Sequence, residues 1–114
     1  MLNKKYRFHS RGGVKYTYQK GKTIRTPNLS LVYNVNERGF QRFAVVVSKK
    51  VLKSAVGRNR IRRRVYEAIR LETKDFTAKQ DNIFVVYSAD ISTMPFPELR
   101  ELVKKLLTES LISK

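Results

Sequence analysis

Short stretches of alternating or continuous apolar residues predict strands along the chain. In Leu29–Val35 the odd positions are apolar and the even positions, with one exception, are polar, as in a half-buried strand. Phe43–Val47 is apolar throughout, which is typical of a central strand. A short turn at Asn36–Gly39 predicts that these two strands pair as a hairpin. Asn82–Tyr87 is a further predicted strand, and Lys22–Arg25 is a short extended piece.

Three stretches predict helices. Between Ser10 and Lys20, Val14 and Tyr18 share a face, although each of two glycines near the start costs about 1 kcal/mol relative to alanine. From Arg58 to Leu71, apolar residues recur at i, i+4, i+7 and i+8. Pro97 suits the first turn of a final helix with a leucine-rich stripe. The order of elements predicts an α+β fold, one sheet with helices packed on it.

The second predicted helix combines a core stripe with a basic surface. At 100° per residue the stripe faces inward and consists of Ile61, Val65, Ala68 and Ile69. The residues predicted to face outward are Asn59, Arg63, Tyr66 and Arg70. Four more arginines occupy the two flanks, so the helix is basic nearly everywhere outside its core stripe.

Length and composition limit the fold and exclude several classes of site. With 114 residues the chain has room for a single core, so residues 1–114 are predicted to form one domain. The absence of cysteine and the single histidine, His9, exclude thiolate zinc sites, multi-histidine metal sites and Cys/His nucleophile pairs. No apolar run approaches the roughly 20 residues of a membrane span, and no apolar signal core follows Met1. We therefore expect a cytoplasmic protein that does not bind membranes.

The net charge of +16 is concentrated in one part of the chain. Residues 1–66 contain 18 basic residues and one acidic residue, whereas residues 67–114 contain 7 basic and 8 acidic residues. Such a charge opposes compaction by self-repulsion, and contacts with a polyanion offset it. The asymmetry predicts one functional surface for nucleic acid, with a merely solvated basic face as the alternative.

The strongest concentration of charge is the segment from Lys49 to Arg64, which holds eight basic residues and no acid. Arginine forks bind phosphate bidentately and stack on exposed bases, and a helix N-terminus adds to the attraction of anions. Asn59 does not fit a pure charge model: it braces the turn, or it hydrogen-bonds a ribose or a base edge. His9 is the single histidine of the chain and is interpreted as a residue of the basic N-terminal segment near phosphate, without a catalytic role.

This segment resembles a signature of the protein subunit of bacterial ribonuclease P. That family has a strand ending in Ser/Ala-Lys-Lys, a short loop, and Arg-Asn-Arg-x-Lys/Arg-Arg opening a helix; here Val45–Lys50, Ala55–Gly57 and Arg58–Arg63 follow in that order. A looser likeness covers nearly the whole chain. The resemblance implies an α/β sandwich in αβββαβα order, with three helices, a four-stranded sheet and a left-handed βαβ crossover, the opposite of the general rule.

The resemblance also implies a function. The family's ribonucleoprotein cuts the 5′ leader from precursor tRNA, its RNA subunit performs the hydrolysis, and the protein raises affinity for the precursor and for Mg²⁺. The implied cofactor is Mg²⁺, held mainly by the RNA subunit and the substrate, and this chain alone is expected to be inactive. The residues expected to contact the ribonuclease P RNA are Lys49, Lys50, Lys53, Arg58, Asn59, Arg60, Arg62, Arg63, Arg64, Tyr66 and Arg70.

The family also carries the single-stranded leader in a cleft between the first helix and the sheet. The residues that the resemblance places on the elements of that cleft are Val14, Tyr18, Tyr33 and Phe43. Aromatic platforms suit single-stranded RNA, with stacking worth about 1–3 kcal/mol per base. Core packing is the alternative for the three aromatic rings.

Two departures from the family pattern affect these expectations. The first helix of the family usually carries two phenylalanines four residues apart, and here the pair is Val14 and Tyr18. The family often has an apolar residue at the position of Arg64 and an arginine at that of Tyr66. We therefore expect Tyr66 to face outward and stack on a nucleotide, and Arg64 to supply the displaced charge.

Two other classes of nucleic-acid-binding protein compete with this interpretation. A ribosomal or assembly protein that only scaffolds RNA is equally small, basic and mixed α/β, and only the Arg-Asn-Arg context argues against it. A DNA-binding helix-turn-helix protein fits less well because the basic helix follows a strand rather than a helix, so no DNA partner is expected.

Overall fold

The computed structural model describes residue 7 and residues 17–36, 41–73 and 79–112. Residues 17–20 are helical and are called α1; the rest of the predicted first helix, with Val14, lies outside the described residues, as does His9. The strands are β1 (Lys22–Arg25), β2 (Leu29–Val35), β3 (Arg42–Val47) and β4 (Gln80–Val86). The longer helices are α2 (Ala55–Glu72) and α3 (Phe96–Ile112), and a 3₁₀ turn, Ala89–Ser92, lies between β4 and α3.

The four strands form one mixed sheet in the order β1-β2-β4-β3. Strand β4 pairs antiparallel with β2, opposing Phe84 to Leu31, and parallel with β3, opposing Phe84 to Val45. The predicted hairpin between β2 and β3 is therefore wrong, because β4 lies between them. Among the strands of the described residues β3 lies last in the sheet rather than in the centre, where β4 lies, and Arg7 adds a single parallel bridge to Phe43.

Side chains at one end of the sheet stabilise this order. The Asp81 carboxylate on β4 accepts two hydrogen bonds from the Arg42 guanidinium on β3, each 2.8 Å long. It also accepts one from the Asn36 side-chain amide just after β2, again at 2.8 Å. Both Arg42 and Asp81 are nearly buried, so the ion pair is little screened by solvent. A short turn permits a hairpin, but the two apolar faces of β4 and this ion pair favour β4 in the middle.

The two faces of the sheet are packed differently. Helices α2 and α3 cover the face that carries Leu31, Phe43 and Phe84, and these side chains join the predicted stripe of α2 in the main core. All four stripe residues are fully buried, which confirms that prediction. The opposite face carries a smaller cluster of Val32, Ala44 and Ile83. We call it the second face.

Local contacts explain where the basic helix begins. Helix α2 starts at Ala55, three residues before the predicted start, because the Ser54 side chain accepts a hydrogen bond from the Gly57 amide at 3.1 Å. A Cβ on Gly57 would lie 2.4 Å from the Leu52 side chain, so glycine lets Leu52 pack against the first turn. At the other end, the Thr73 amide donates to the Ile69 carbonyl.

The two long helices are linked to each other and to the sheet by polar contacts. Arg100 of α3 donates to the Glu72 carboxylate of α2 at 2.7 Å. The buried Gln80 amide donates to Asn82 on the same strand and to Ser110 on α3. In the described part of the chain no helix is long and apolar enough to cross a membrane. The handedness of the β3–α2–β4 crossover stays a prediction.

Replacing Phe84 by alanine should lower the free energy of unfolding by about 3–5 kcal/mol, because the ring is fully buried in the central strand. Val35→Ala is the control, since Val35 is 62% exposed and its truncation should change stability by about 0.5 kcal/mol or less. Urea denaturation followed by circular dichroism measures both. Similar losses in the two variants would contradict the core described above.

Candidate nucleic-acid interface

A lysine-rich loop connects β3 to α2. It runs from Ser48 to Ser54, and its three lysines, Lys49, Lys50 and Lys53, are all exposed. The amide of Val51 donates to the Ser48 carbonyl at 3.1 Å, which forms a turn. Leu52 packs partly against the main core and fixes the loop to the protein. The ammonium groups of the loop therefore project into solvent from a structured backbone.

The outer side of α2 continues this cationic surface. At 100° per residue Val56, Arg60 and Arg63 lie on one face of the helix, which we call the outer ridge. Val56 is 75% exposed, and both arginines are exposed. Among the described residues neither Arg60 nor Arg63 forms an ion pair, and the first turn of the helix carries no acidic residue. These guanidinium groups are available to an external anion.

Asn59 interacts with a neighbouring arginine. The Arg62 guanidinium donates to the Asn59 side-chain oxygen one turn away on the exposed surface. Asn59 therefore holds the Arg62 side chain, and it does not cap the helix, whose N-cap is Ser54. Its side-chain NH₂ group still has donors for a ribose or a base edge.

Arg64 is bound to backbone carbonyls of the protein itself. Its Nη1 donates to the carbonyls of Ile91 at 3.0 Å and Ser92 at 2.7 Å, and its Nη2 donates to the carbonyl of Met94. These three carbonyls belong to the connection between β4 and α3, which lies beside this flank of α2. The guanidinium is thus held by the protein's own backbone, which leaves its positive charge uncancelled, and a contact of Arg64 with RNA stays a prediction.

Tyr66 is buried, and the prediction that it faces outward is wrong. It is 5% exposed and belongs to the main core. The side of α2 that carries Tyr66 packs over β3, where the Tyr66 hydroxyl bonds to the Val45 backbone. The Arg7 guanidinium lies 5.6 Å from the centre of the ring. Burial raises the pKa of Tyr66, and its ring is not accessible for stacking on a nucleotide.

Arg70 is paired with an acidic neighbour. Its Nε donates to the Glu67 carboxylate at 3.0 Å, and its Nη2 contacts the same oxygen. The hydrogen bonds from Arg70 lower the pKa of Glu67 to about 2, so the pair stays ionised at neutral pH. Glu67 therefore offsets the charge of Arg70. The arginines of the outer ridge without an acidic partner in the described part of the chain are Arg60 and Arg63, which precede this pair.

The aromatic residues predicted for a leader cleft divide into exposed and buried ones. Phe43 is fully buried and Tyr33 is 4% exposed, and both lie on the sheet face beneath the helices. The alternative of core packing is correct for these two rings, because odd positions of β2 and β3 face the helices. Tyr18 on α1 is 44% exposed, which leaves it accessible to a nucleotide.

A second exposed aromatic residue, not predicted from the sequence, follows the central strand. Tyr87 directly follows β4, is 45% exposed, and has its backbone fixed by a 3.0 Å hydrogen bond to the Asn28 carbonyl. Partial burial raises the pKa of Tyr18, and the Tyr87 hydroxyl adds to the shift. Val85 lies on the second face of the sheet, and residues two apart in a strand share a face. This alternation could have placed Tyr87 on the second face from the sequence.

Comparisons with known proteins give one consistent result. The sequence profile described as Ribonuclease P matches residues 2–110. The chain is 33% identical over 109 residues to the ribonuclease P protein component of Chloroflexus aurantiacus, covering 96% of this chain and 80% of that one. It is 34% identical over 106 residues to that of Roseiflexus castenholzii, covering 93% and 86%.

Solved structures share the fold. The RNase P protein of Staphylococcus aureus superposes with a TM-score of 0.79 at 23% identity, covering 92% of this chain and 94% of that one. The RNase P protein of Thermotoga maritima gives 0.76 at 22% identity, covering 87% and 96%. At these identities the likeness establishes the three-helix, four-stranded architecture.

Arg63→Ala and Arg64→Ala should differ in stability although each removes one positive charge. Loss of the three carbonyl contacts of Arg64 should lower the free energy of unfolding by about 2 kcal/mol. The exposed Arg63 should change it by about 0.5 kcal/mol or less. Thermal and urea unfolding in the same buffer compare the two variants. Equal stability would mean that the Arg64 contacts contribute nothing to the fold.

Proposed function

The chain belongs to the ribonuclease P protein family, and on that premise we propose that it is the protein subunit of the ribonucleoprotein that removes the 5′ leader from precursor tRNA. Membership of the family makes it an RNA-binding component of tRNA processing whose partner is a ribonuclease P RNA. The proposal adds a division of labour: the RNA subunit performs the hydrolysis, and the protein positions RNA and substrate.

The observation that carries the proposal is the uncompensated cationic surface formed by the lysine-rich loop and the outer ridge. Five exposed cations, Lys49, Lys50, Lys53, Arg60 and Arg63, follow one another along the loop and the first turns of α2. A helix rises about 1.5 Å per residue, so Arg60 and Arg63 are spaced to contact successive backbone phosphates. Neutralising phosphates releases condensed counterions, which makes such binding favourable and dependent on salt.

We assign this surface to the ribonuclease P RNA and a different surface to the leader. Among the described residues Tyr18 and Tyr87 are exposed aromatic residues, and strand alternation from Val85 places Tyr87 on the second face of the sheet, opposite α2 and α3. Unpaired bases stack on such rings with little sequence preference. In this arrangement the sheet separates the two RNAs, and the leader lies on the side opposite the basic helix.

Magnesium belongs to the RNA subunit and the substrate in this proposal. The protein's own contribution is electrostatic and positional: it holds the leader beside the sheet and neutralises phosphates of the RNA subunit. Both effects reduce repulsion between two polyanions, and so the holoenzyme should need less Mg²⁺ than the RNA subunit alone.

Cleavage of a 5′-labelled precursor tRNA at low Mg²⁺ tests the proposed function. Ribonuclease P RNA from the source organism should cut at the mature 5′ end about tenfold faster or more when this protein is added, because the cationic surface replaces part of the Mg²⁺ requirement. The protein alone should be inactive. An RNA subunit that gains nothing from the protein would contradict the proposal and favour a scaffold that binds RNA without a role in leader removal.

The double variant Arg60→Ala/Arg63→Ala should weaken binding to the ribonuclease P RNA and lower the slope of log affinity against log salt by about 2, roughly one for each lost phosphate contact. Lys104→Ala/Lys105→Ala on exposed positions of α3 is the control with the same change of charge. Filter binding at several salt concentrations measures both. Equal slopes in the two variants would exclude the outer ridge as the RNA contact.

Tyr18→Ala and Tyr87→Ala should each weaken holoenzyme binding to a precursor with a long leader by about fivefold or more, the equivalent of one lost stacking interaction. Binding of mature tRNA, which has no leader, should stay unchanged. Leu111→Ala, an exposed apolar position near the end of α3, is the control. Equal losses for precursor and mature tRNA would contradict the leader assignment.

A further inference from the structure

Arg58 differs from the other arginines of the basic segment in what it contacts. Its Nη1 donates to the carbonyl of Leu52 at 2.9 Å and to the carbonyl of Lys53 at 2.7 Å. Both carbonyls belong to the lysine-rich loop, which precedes the helix. On the helical wheel Arg58 lies near the direction of the buried Val65, so its side chain turns back from the outer ridge toward the loop.

Electrostatic repulsion favours opening of the loop, and hydrogen bonds oppose it. Three exposed ammonium groups lie within five residues, and the loop ends at the N-terminus of α2, where the helix dipole is positive. No acidic residue in the first turn offsets that field. The backbone hydrogen bonds at Val51 and Leu52, 3.1 and 3.4 Å to the Ser48 carbonyl, close the first half of the loop. The Arg58 guanidinium holds the second half of the loop by donating hydrogen bonds to the carbonyl oxygens of Leu52 and Lys53.

We propose that Arg58 is a positioning residue: its hydrogen bonds to the Leu52 and Lys53 carbonyls hold the lysine-rich loop in the conformation that presents Lys49, Lys50 and Lys53 to RNA. Its contribution to RNA affinity therefore runs through these lysines rather than through a phosphate contact of its own. The predicted effect of Arg58 on RNA affinity rests on the proposed function. The loop geometry itself does not depend on that function.

The structure supplies a matched control in Arg60. Arg58 and Arg60 carry the same charge on the same turn, but Arg60 is exposed and makes no contact with the loop among the described residues. If Arg60 contacts RNA directly, its effect on RNA affinity should not depend on the lysines. If Arg58 positions the loop, its effect on RNA affinity should depend on them.

The first test uses the free protein. In Arg58→Ala the amides of Val51 and Leu52 should exchange hydrogen about tenfold faster than in the wild type, because the loop opens more often. In Arg60→Ala their exchange should be unchanged. Arg58→Met, which keeps the aliphatic stem, replaces the alanine variant if the latter unfolds. Unchanged loop exchange in a folded Arg58 variant would overturn the proposal.

The second test measures affinity for the ribonuclease P RNA in two backgrounds, the wild type and Lys49→Ala/Lys50→Ala/Lys53→Ala. Arg58→Ala should weaken binding about tenfold in the wild type and about twofold or less in the triple variant, whereas Arg60→Ala should cost the same factor in both. An equal factor for Arg58→Ala in both backgrounds would overturn the positioning role. Failure of the wild-type protein to bind the RNA would instead refute the proposed function and leave the exchange result standing.

Discussion

Helix α2 has to pack against the core and carry the densest positive charge of the chain, and the rest of the structure follows from how these two demands are met. Ile61, Val65 and Ile69 occupy the side that faces the sheet. The arginines are then divided by their partners. Arg58 and Arg64 bind backbone carbonyls of the protein, whereas Arg60 and Arg63 face solvent. Burying charge without a partner is costly, and carbonyl oxygens satisfy a guanidinium without cancelling its charge.

The same division connects the helix to its neighbours. The Arg58 contacts fix the loop before α2, and the Arg64 contacts fix the connection between β4 and α3. Because β4 lies between β2 and β3, the parallel β3–α2–β4 unit places α2 across the sheet and leaves its outer ridge exposed. The ion pair between Arg42 and Asp81 stabilises that strand order at the other end of the sheet. The cationic surface thus rests on a rigid frame, which lowers the entropy lost on binding RNA.

Sequence reasoning identified the elements, the core stripe of α2 and the cationic segment, because each is a local pattern of period or charge. It failed where a distant partner decides. The hairpin was wrong because β4, far along the chain, pairs with both strands, and the Asp81–Arg42 ion pair stabilises that arrangement. Tyr66 was placed outside because the helical wheel does not show that β3 covers that side of α2. Arg64 looked like any other exposed cation, and nothing local reveals that the carbonyls after β4 lie within its reach.

A tethered cleavage experiment tests most directly the claim that the outer ridge of α2 faces the ribonuclease P RNA. The chain contains no cysteine, so a single cysteine can carry an iron chelate that generates hydroxyl radicals. Val56→Cys places it on the outer ridge, and Leu111→Cys places it on an exposed position of α3. The account predicts localised cleavage of the RNA from position 56 and none from position 111. Cleavage from position 111 with none from position 56 would contradict it.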